Sequence, residues 1–299
     1  MNDLIKAHLD HRRVWADFDY CYPVISRRSK GVSLGVNLNP DKACNFDCVY
    51  CEVDRKTPPK RKDIDVDQLV REMEALLKLT MDGTLFRVAP FDTATGEHRR
   101  LNDIAFSGDG EPTTAKEFPA VVDRIAQLKW RLGLHDVKLV LITDASRLNV
   151  REVIQGMDIM SGNNGEIWAK LDAGTEAYFK EINRTDIPFQ RILDNLEITA
   201  RLRPILIQTL FLEWKGQPPS EAEIDAYAAR LRHILDWAGK ITAVQLYTVA
   251  RPTPEAEARP LKAAQLDRIA EQLRAKLPEL PLELYYGPEG WPEMNQHEI

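Results

Sequence analysis

Residues 44 to 51 read CNFDCVYC, which sets Cys44, Cys48 and Cys51 at spacings of four and three. Cys21 is the one cysteine outside that run. Three neighbouring thiols cannot all pair with one another as disulfides, and clustered cysteines in a reducing compartment serve as metal ligands or catalytic groups. A structural zinc site closes with four ligands, commonly from two separated pairs. No partnering pair stands at a recognisable spacing here, since His11, His98 and His297 are isolated. An iron–sulfur cube held by three cysteines keeps one iron open for a ligand, which is a catalytic arrangement. Zinc and packed core cysteines remain the competing readings of the spacing.

A second stretch, Ser107-Gly108-Asp109-Gly110-Glu111-Pro112, carries two glycines that let a backbone come close to a ligand and a carboxylate that can accept from an amine. A third, AKLDAG, places Lys170 and Asp172 two residues apart, so strand alternation puts both ionisable groups on one face. That pairing makes them candidate catalytic residues.

These stretches need elements to hold them. Strand-like runs occur at 32–38, 103–107, 138–143, 166–171, 205–212 and 243–249, most of them nearly continuously apolar, as strands buried on both faces are. Between them lie segments of helical period. In VDQLVREMEALLKL, residues Val66, Leu69, Val70, Met73, Leu76 and Leu77 share a face, and EIDAYAARLRHILDW repeats the pattern later. Pro188 is expected to break the helical stretch that begins near Thr175. Six strands alternating with helices predict α/β architecture, a parallel sheet with right-handed crossovers, open or curled into a partial or full barrel. In such folds chemistry collects at the strand C-terminal ends, where CNFDCVYC and GDGEPT both fall. Residues 86–101 are expected to form a hairpin insertion. The domain plan is then an N-terminal extension over 1–31, the barrel over 32–286 and an irregular tail over 287–299.

The two motifs together resemble the radical S-adenosylmethionine (radical SAM) superfamily. CNFDCVYC has its three-cysteine pattern with an aromatic, Tyr50, before the last cysteine, and GDGEP is similar to its glycine-rich turn, with Asp109 where glycine is commoner. The resemblance covers residues 32–249. It implies a partial (β/α)6 barrel and a [4Fe–4S] cluster on Cys44, Cys48 and Cys51. The open iron would chelate S-adenosyl-L-methionine (SAM), whose reductive cleavage yields a 5′-deoxyadenosyl radical that abstracts a substrate hydrogen. By the same resemblance, Gly108, Asp109, Gly110 and Glu111, with Ser107, would hold the methionine ammonium, and Tyr50 would lie near the adenine. Thr143, Lys170, Asp172, Gln208 and Thr248 are candidates for further contacts by strand position. A one-electron donor such as flavodoxin or ferredoxin is implied as a partner.

SLGVNLNPDKACNFDCVYC, with AKLDAG, looks most like the branch of the superfamily that includes the tRNA wyosine-base synthases. Those proteins use a second cluster on three more cysteines. Here only Cys21 is left over, so a second cysteine-ligated cluster is not available and the wyosine reaction itself is not implied, while the branch resemblance still points toward RNA modification. A tRNA base is one candidate substrate, supported by the basic residues in SRRSK (26–30) and RKTPPKRK (55–62). A small metabolite or peptide is the other, supported by a formal net charge of −6, which disfavours non-specific nucleic-acid coating. A metal-stabilised binding module without catalysis and an activase acting on a partner protein complete the alternatives. Trp130, Trp214, Trp237 and Trp291 are scattered singly and mark no interface. No apolar run reaches the roughly 18 residues of a membrane span. The N-terminal MNDLIKAHLDHRRVW has no apolar stretch before a small-residue cleavage site, so a cytoplasmic protein is expected.

Overall fold

In the computed structural model, residues 13 and 15–288 are described. Ten strands form: β1 (Cys21–Ser26), β2 (Gly31–Val36), β3 (Leu101–Phe106), β4 (Lys138–Thr143), β5 (Gly165–Lys170), β6 (Ile205–Leu210), β7 (Leu212–Trp214), β8 (Ile241–Tyr247), β9 (Ala258–Pro260) and β10 (Leu282–Tyr285). Eight of them build one sheet in the order β1-β2-β3-β4-β5-β6-β8-β10, while β7 and β9 pair separately. From β2 to β10 every neighbour is parallel, and β1 alone runs antiparallel, as a hairpin with β2.

Among the described residues, seven helices cover the sheet: α1 (Val66–Met81), α2 (Phe118–Arg131), α3 (Arg151–Ser161), α4 (Glu176–Asn183), α5 (Phe189–Leu202), α6 (Glu221–Asp236) and α7 (Ala263–Lys276). Local chemistry explains their starts. Asp65, Thr175 and Ser220 accept from the backbone N–H three residues on and so cap α1, α4 and α6, each cap being worth about 1 kcal/mol. The break at Pro188 is found between α4 and α5. None of the described helices is long and apolar enough to cross a membrane.

Alternation along the strands sorts the side chains into two layers. Leu34, Val36, Ile104, Phe106, Leu139, Leu141, Ile207 and Leu246 face outward, fully buried beneath helix residues such as Leu69, Met73, Val121 and Ile125. Burial of one such side chain contributes about 1.5–3 kcal/mol. The inner face instead carries Ser33, Asp103, Glu166, Gln208 and Gln245 around a small apolar group of Ala105, Val140 and Trp168. An eight-stranded sheet curled with its polar face inward is a partial barrel with a lumen.

The six expected strands are present. Two more strands of the main sheet, β1 and β10, and the small β7–β9 pair were not anticipated. The edge strand β1 contains Pro23 and was masked by it, and β10 has only four residues. The hairpin expected over 86–101 does not form. Residues 84–99 fold as three short 3-10 turns, Thr84–Arg87, Phe91–Thr93 and Gly96–Arg99, because Pro90 and the run of small and polar residues after it favour turns over a ladder. Part of the expected N-terminal extension is β1, within the sheet. Of the expected tail, residues from 289 on, with Trp291 and His297, lie outside the described residues, as does His11.

Candidate functional site

The chain leaves β2 through Asn37 and Asn39 and enters the cysteine loop at the C-terminal end of the sheet. The GDGEP turn follows β3 at the same end, and the two loops touch. A Cβ at Gly108 would stand 2.3 Å from the Asn37 side chain, and one at Gly110 would stand 2.0 Å from the Ala43 carbonyl. Glycine is therefore required here so that the turn can seat against the cysteine loop.

Asp109 fixes that seating. Its carboxylate accepts from Asn37 Nδ2 at 2.8 Å and pairs with Arg13 at 3.0 Å. Glu111 is buried, and its oxygens accept from Thr113 Oγ1 (2.5 Å), Thr143 Oγ1 (2.8 Å) and the Asp144 N–H (2.7 Å). The carboxylate expected to meet an amine thus fastens the turn to the end of β4. Burial, and then Glu111, raise the Asp144 carboxyl well above its usual range. Ser107 Oγ meets Tyr22 OH at 3.2 Å. Thr248 Oγ1 accepts from the Leu261 N–H at 2.8 Å and holds the connection after β8.

A second network starts at Cys48. Asn183, the last residue of α4, donates to Cys48 Sγ (3.4 Å), Tyr50 OH (3.4 Å) and Asp172 Oδ2 (3.2 Å). Tyr50 also donates to Asp172, so it turns into this network. Lys170 Nζ lies 3.1 Å from Asp172 Oδ1 and donates to Tyr247 OH at 2.8 Å, with its charge over the Tyr50 and Tyr247 rings. Burial works to lower the Lys170 ammonium, but Asp172 and then Tyr247 outweigh it and raise it above its ordinary value. Lys170 is a fixed cation. The alternation of AKLDAG does bring Lys170 and Asp172 together.

Burial pushes the Cys44 thiol up to about 11. Burial, then Asp172, pushes Cys48 up to about 12. Such thiols hold their protons until a metal displaces them. Arg55 Nη2 lies 3.8 Å from Cys51 Sγ. Among the described residues, no three His, Cys, Asp or Glu side chains converge enough to share one ion. A cube puts each thiolate on a different iron, so its ligands need no common point. In the loop, Lys42 donates to the Asp54 and Thr57 carbonyls and Asp47 lies 3.8 Å from Arg184. Cys21, 2% exposed, is packed in the core against Leu69, away from the loop.

Five buried acceptor oxygens on the loop or on the strand and helix ends around it have no hydrogen-bond donor: Asn39 Oδ1, Asn45 Oδ1, Asp144 Oδ2, Asn183 Oδ1 and Gln208 Oε1. Gln208 stands beside Lys170 in the β5–β6 register and donates to Gln245. Each orphaned group costs about 1–3 kcal/mol, so a ligand rich in N–H and O–H groups is favoured here. Apart from Gln208, no sequence pattern announced these residues, because asparagine in a loop reads as turn chemistry.

No protein-family model matches the chain. It is 25% identical over 279 residues to GTPase Obg of Brachyspira hyodysenteriae, covering 90% of this chain and 35% of that protein. It is 29% identical over 182 residues to UPF0026 protein MJ1312 of Methanocaldococcus jannaschii, covering 58% and 47% of the two chains. A UPF0026 protein of Helicobacter pylori is 29% identical over 242 residues, with 77% and 66% covered. The chain therefore spans only about a third to two thirds of these relatives' length. Among solved structures, TYW1 with a lysine-pyruvate adduct bound superposes with a TM-score of 0.52 at 14% identity, covering 83% of this chain and 74% of that one. Streptococcus suis SuiB bound to S-adenosylmethionine gives 0.56 at 12% identity, covering 87% and 52%. The fold is the partial barrel of the radical SAM enzymes, and the chain sets the three-cysteine motif that resembles theirs at the mouth of it.

Proposed function

We propose that this chain is a radical SAM enzyme in which Cys44, Cys48 and Cys51 hold a [4Fe–4S] cluster and the mouth of the barrel binds SAM. The observation that carries the reading is the set of five donor-less acceptors around the cysteine loop. SAM brings the matching donors, an ammonium, an exocyclic amine and two ribose hydroxyls. SuiB, of like fold, is bound to S-adenosylmethionine. When bound, the cluster and SAM supply a one-electron cleavage that releases methionine and a 5′-deoxyadenosyl radical able to take a hydrogen atom from the substrate.

The protein's own residues place and shield. Asp109 and Glu111 fix the glycine turn against the cysteine loop, Asp144 and Asn39 offer acceptors beside it, and Asn183 donates to the Cys48 sulfur, where hydrogen bonding tunes a cluster's potential. Lys170 and Asp172, 3.1 Å apart and largely buried, hold a fixed charge pair inside the mouth that orients a substrate. A flavodoxin or ferredoxin supplies the electron. The wyosine reaction is not proposed, because Cys21 is walled into the core and no second set of cysteines exists.

Two substrate classes stay in play. The exposed Lys56, Lys60 and Lys62 beside the cysteine loop support tRNA, although Arg61 is already paired with Asp19 at 2.9 Å. Binding of tRNA that weakens with salt, and is lost on replacing Lys60 and Lys62, would establish that class. The function itself is tested by anaerobic reconstitution with iron and sulfide, reduction and addition of SAM. Parent protein should form 5′-deoxyadenosine and Cys48→Ala should not. Tightly bound zinc with no iron uptake would overturn the proposal in favour of a metal-stabilised module.

A further inference from the structure

The curled sheet has two free edges, β1 and β10, and the β1–β2 hairpin carries Arg27 and Arg28 to the seam between them. Arg27 Nη1 donates to the Tyr286 carbonyl at 2.7 Å, just past the end of β10. Arg28 crosses into the lumen, where its guanidinium lies 4.8 Å from the centre of the Tyr247 ring. Tyr247 OH in turn accepts from Lys170. Among the described residues, neither arginine has a carboxylate within ion-pair distance. The facing carboxylate on β10, Glu283, instead accepts from Gln245 at 3.1 Å and from Tyr285 at 2.8 Å.

Two adjacent, half-buried guanidiniums without a counter-charge are costly to hold together. Burial, then Arg28 and Arg251, push the Arg27 guanidinium down to about 10. A planar fork of N–H donors beside a second one matches the oxygens of a carboxylate or phosphate. We propose that Arg27 and Arg28 form an oxyanion site at the seam of the barrel that takes a phosphate or carboxylate group of the substrate and directs the rest of it past Tyr247 toward Lys170. The inference deepens the proposed function and rests on it only in assigning the anion to a substrate. It makes the substrate anionic despite the chain's own net charge of −6.

The experiment uses the full chain as purified, before any cluster is built, so that its failure is separate from failure of SAM cleavage. Thermal unfolding is followed in about 10 mM inorganic phosphate, in acetate and in chloride at matched ionic strength. The parent, Arg27→Gln, Arg28→Gln and, as control, Arg268→Gln on the exposed face of α7 are compared. Phosphate or acetate should raise the parent's Tm by about 3 °C over chloride, equally in Arg268→Gln, and by nothing in Arg28→Gln. A response to phosphate alone assigns a phosphate ester, and a response to acetate assigns a carboxylate. Should Arg27→Gln unfold early in chloride, Arg28→Gln decides. The proposal is overturned if no anion stabilises the parent beyond chloride or if Arg28→Gln responds like the parent. It is also overturned if Arg28→Gln loses SAM affinity, since the anion would then be the methionine carboxylate.

Discussion

The two ends of the barrel lumen contrast in how their polar groups are partnered. At the N-terminal ends of the strands lies a cavity of about 1050 Å3, lined in part by Asp103, Lys138, Glu166 and Glu283. Its carboxylates Asp103 and Glu166 are partnered, since Lys138 pairs with Glu166 at 2.5 Å, Trp168 donates to Glu166, and Ser33 donates to Asp103 at 2.5 Å. Its unpartnered lining groups are cationic or hydroxyl, namely Arg28 at the seam, Arg203 Nε and Ser29 Oγ. At the opposite end five buried acceptors lack donors and a lysine, an aspartate and two tyrosines are locked together. Volume alone marks a hollow in a curled sheet, while unsatisfied hydrogen-bonding capacity marks a place built for a ligand.

The contrast breaks most sharply if the upper network can be cut at no cost. Asp172, 2% exposed, accepts from Tyr50, Asn183, Lys170 and the Leu210 N–H. Asp172→Ala leaves the Lys170 ammonium buried without a counter-charge, and removing one partner of such a pair costs about 3–5 kcal/mol. Chemical denaturation should show a loss of that size, with much of it recovered in Asp172→Ala/Lys170→Met. A loss under 1 kcal/mol would mean that water reaches the pair and that the mouth is not the desolvated site described.

Gly110→Ala is the next test. The new methyl would meet the Ala43 carbonyl, a backbone atom, so the cysteine loop and the glycine turn must part at a cost of about 3 kcal/mol. Iron retained after reconstitution should fall along with stability. Retention at the parent level would show that the two loops are not one unit.

What the sequence disclosed and what it withheld follow the same division. Runs of apolar residues at strand length and helical periods reported the layers, because burial on one or both faces is written in local pattern. AKLDAG reported the Lys170–Asp172 pair, because strand alternation is local too. Tyr50 donates to Asp172, a partner that no local pattern announced, and Asn183 reaches Cys48 from 135 residues away. Contacts across that span depend on how the sheet curls, which no window of sequence records. The glycines of GDGEP were legible as a close approach, but what they approach is the cysteine loop itself.

At the lower end, Asp103 offers a test by pH. Burial raises its carboxyl to about 6, and Ser33 only partly offsets this. A raised carboxyl favours the folded state when protonated, so the stability it contributes is complete below about pH 4 and is lost as pH climbs through about 6. Asp103→Asn should therefore be more stable than the parent by about 2 kcal/mol near pH 8, with the gain vanishing toward pH 4. A gain independent of pH would mean that Asp103 is neutral throughout. SAM binding should be unchanged in either case.

The smallest effect is expected at Glu166. Its pairing with Lys138 joins side chains 46% and 35% exposed, and a pair so open to water is worth about 0–1 kcal/mol. Glu166→Gln keeps an oxygen for the Trp168 N–H, so the inner apolar group of Ala105, Val140 and Trp168 retains its packing. Stability should shift by less than about 1 kcal/mol, and SAM affinity measured by calorimetry on the reconstituted protein should match the parent. If affinity fell severalfold, the large lower cavity would be coupled to the mouth through Trp168, and the lumen would have to be treated as one site with two openings.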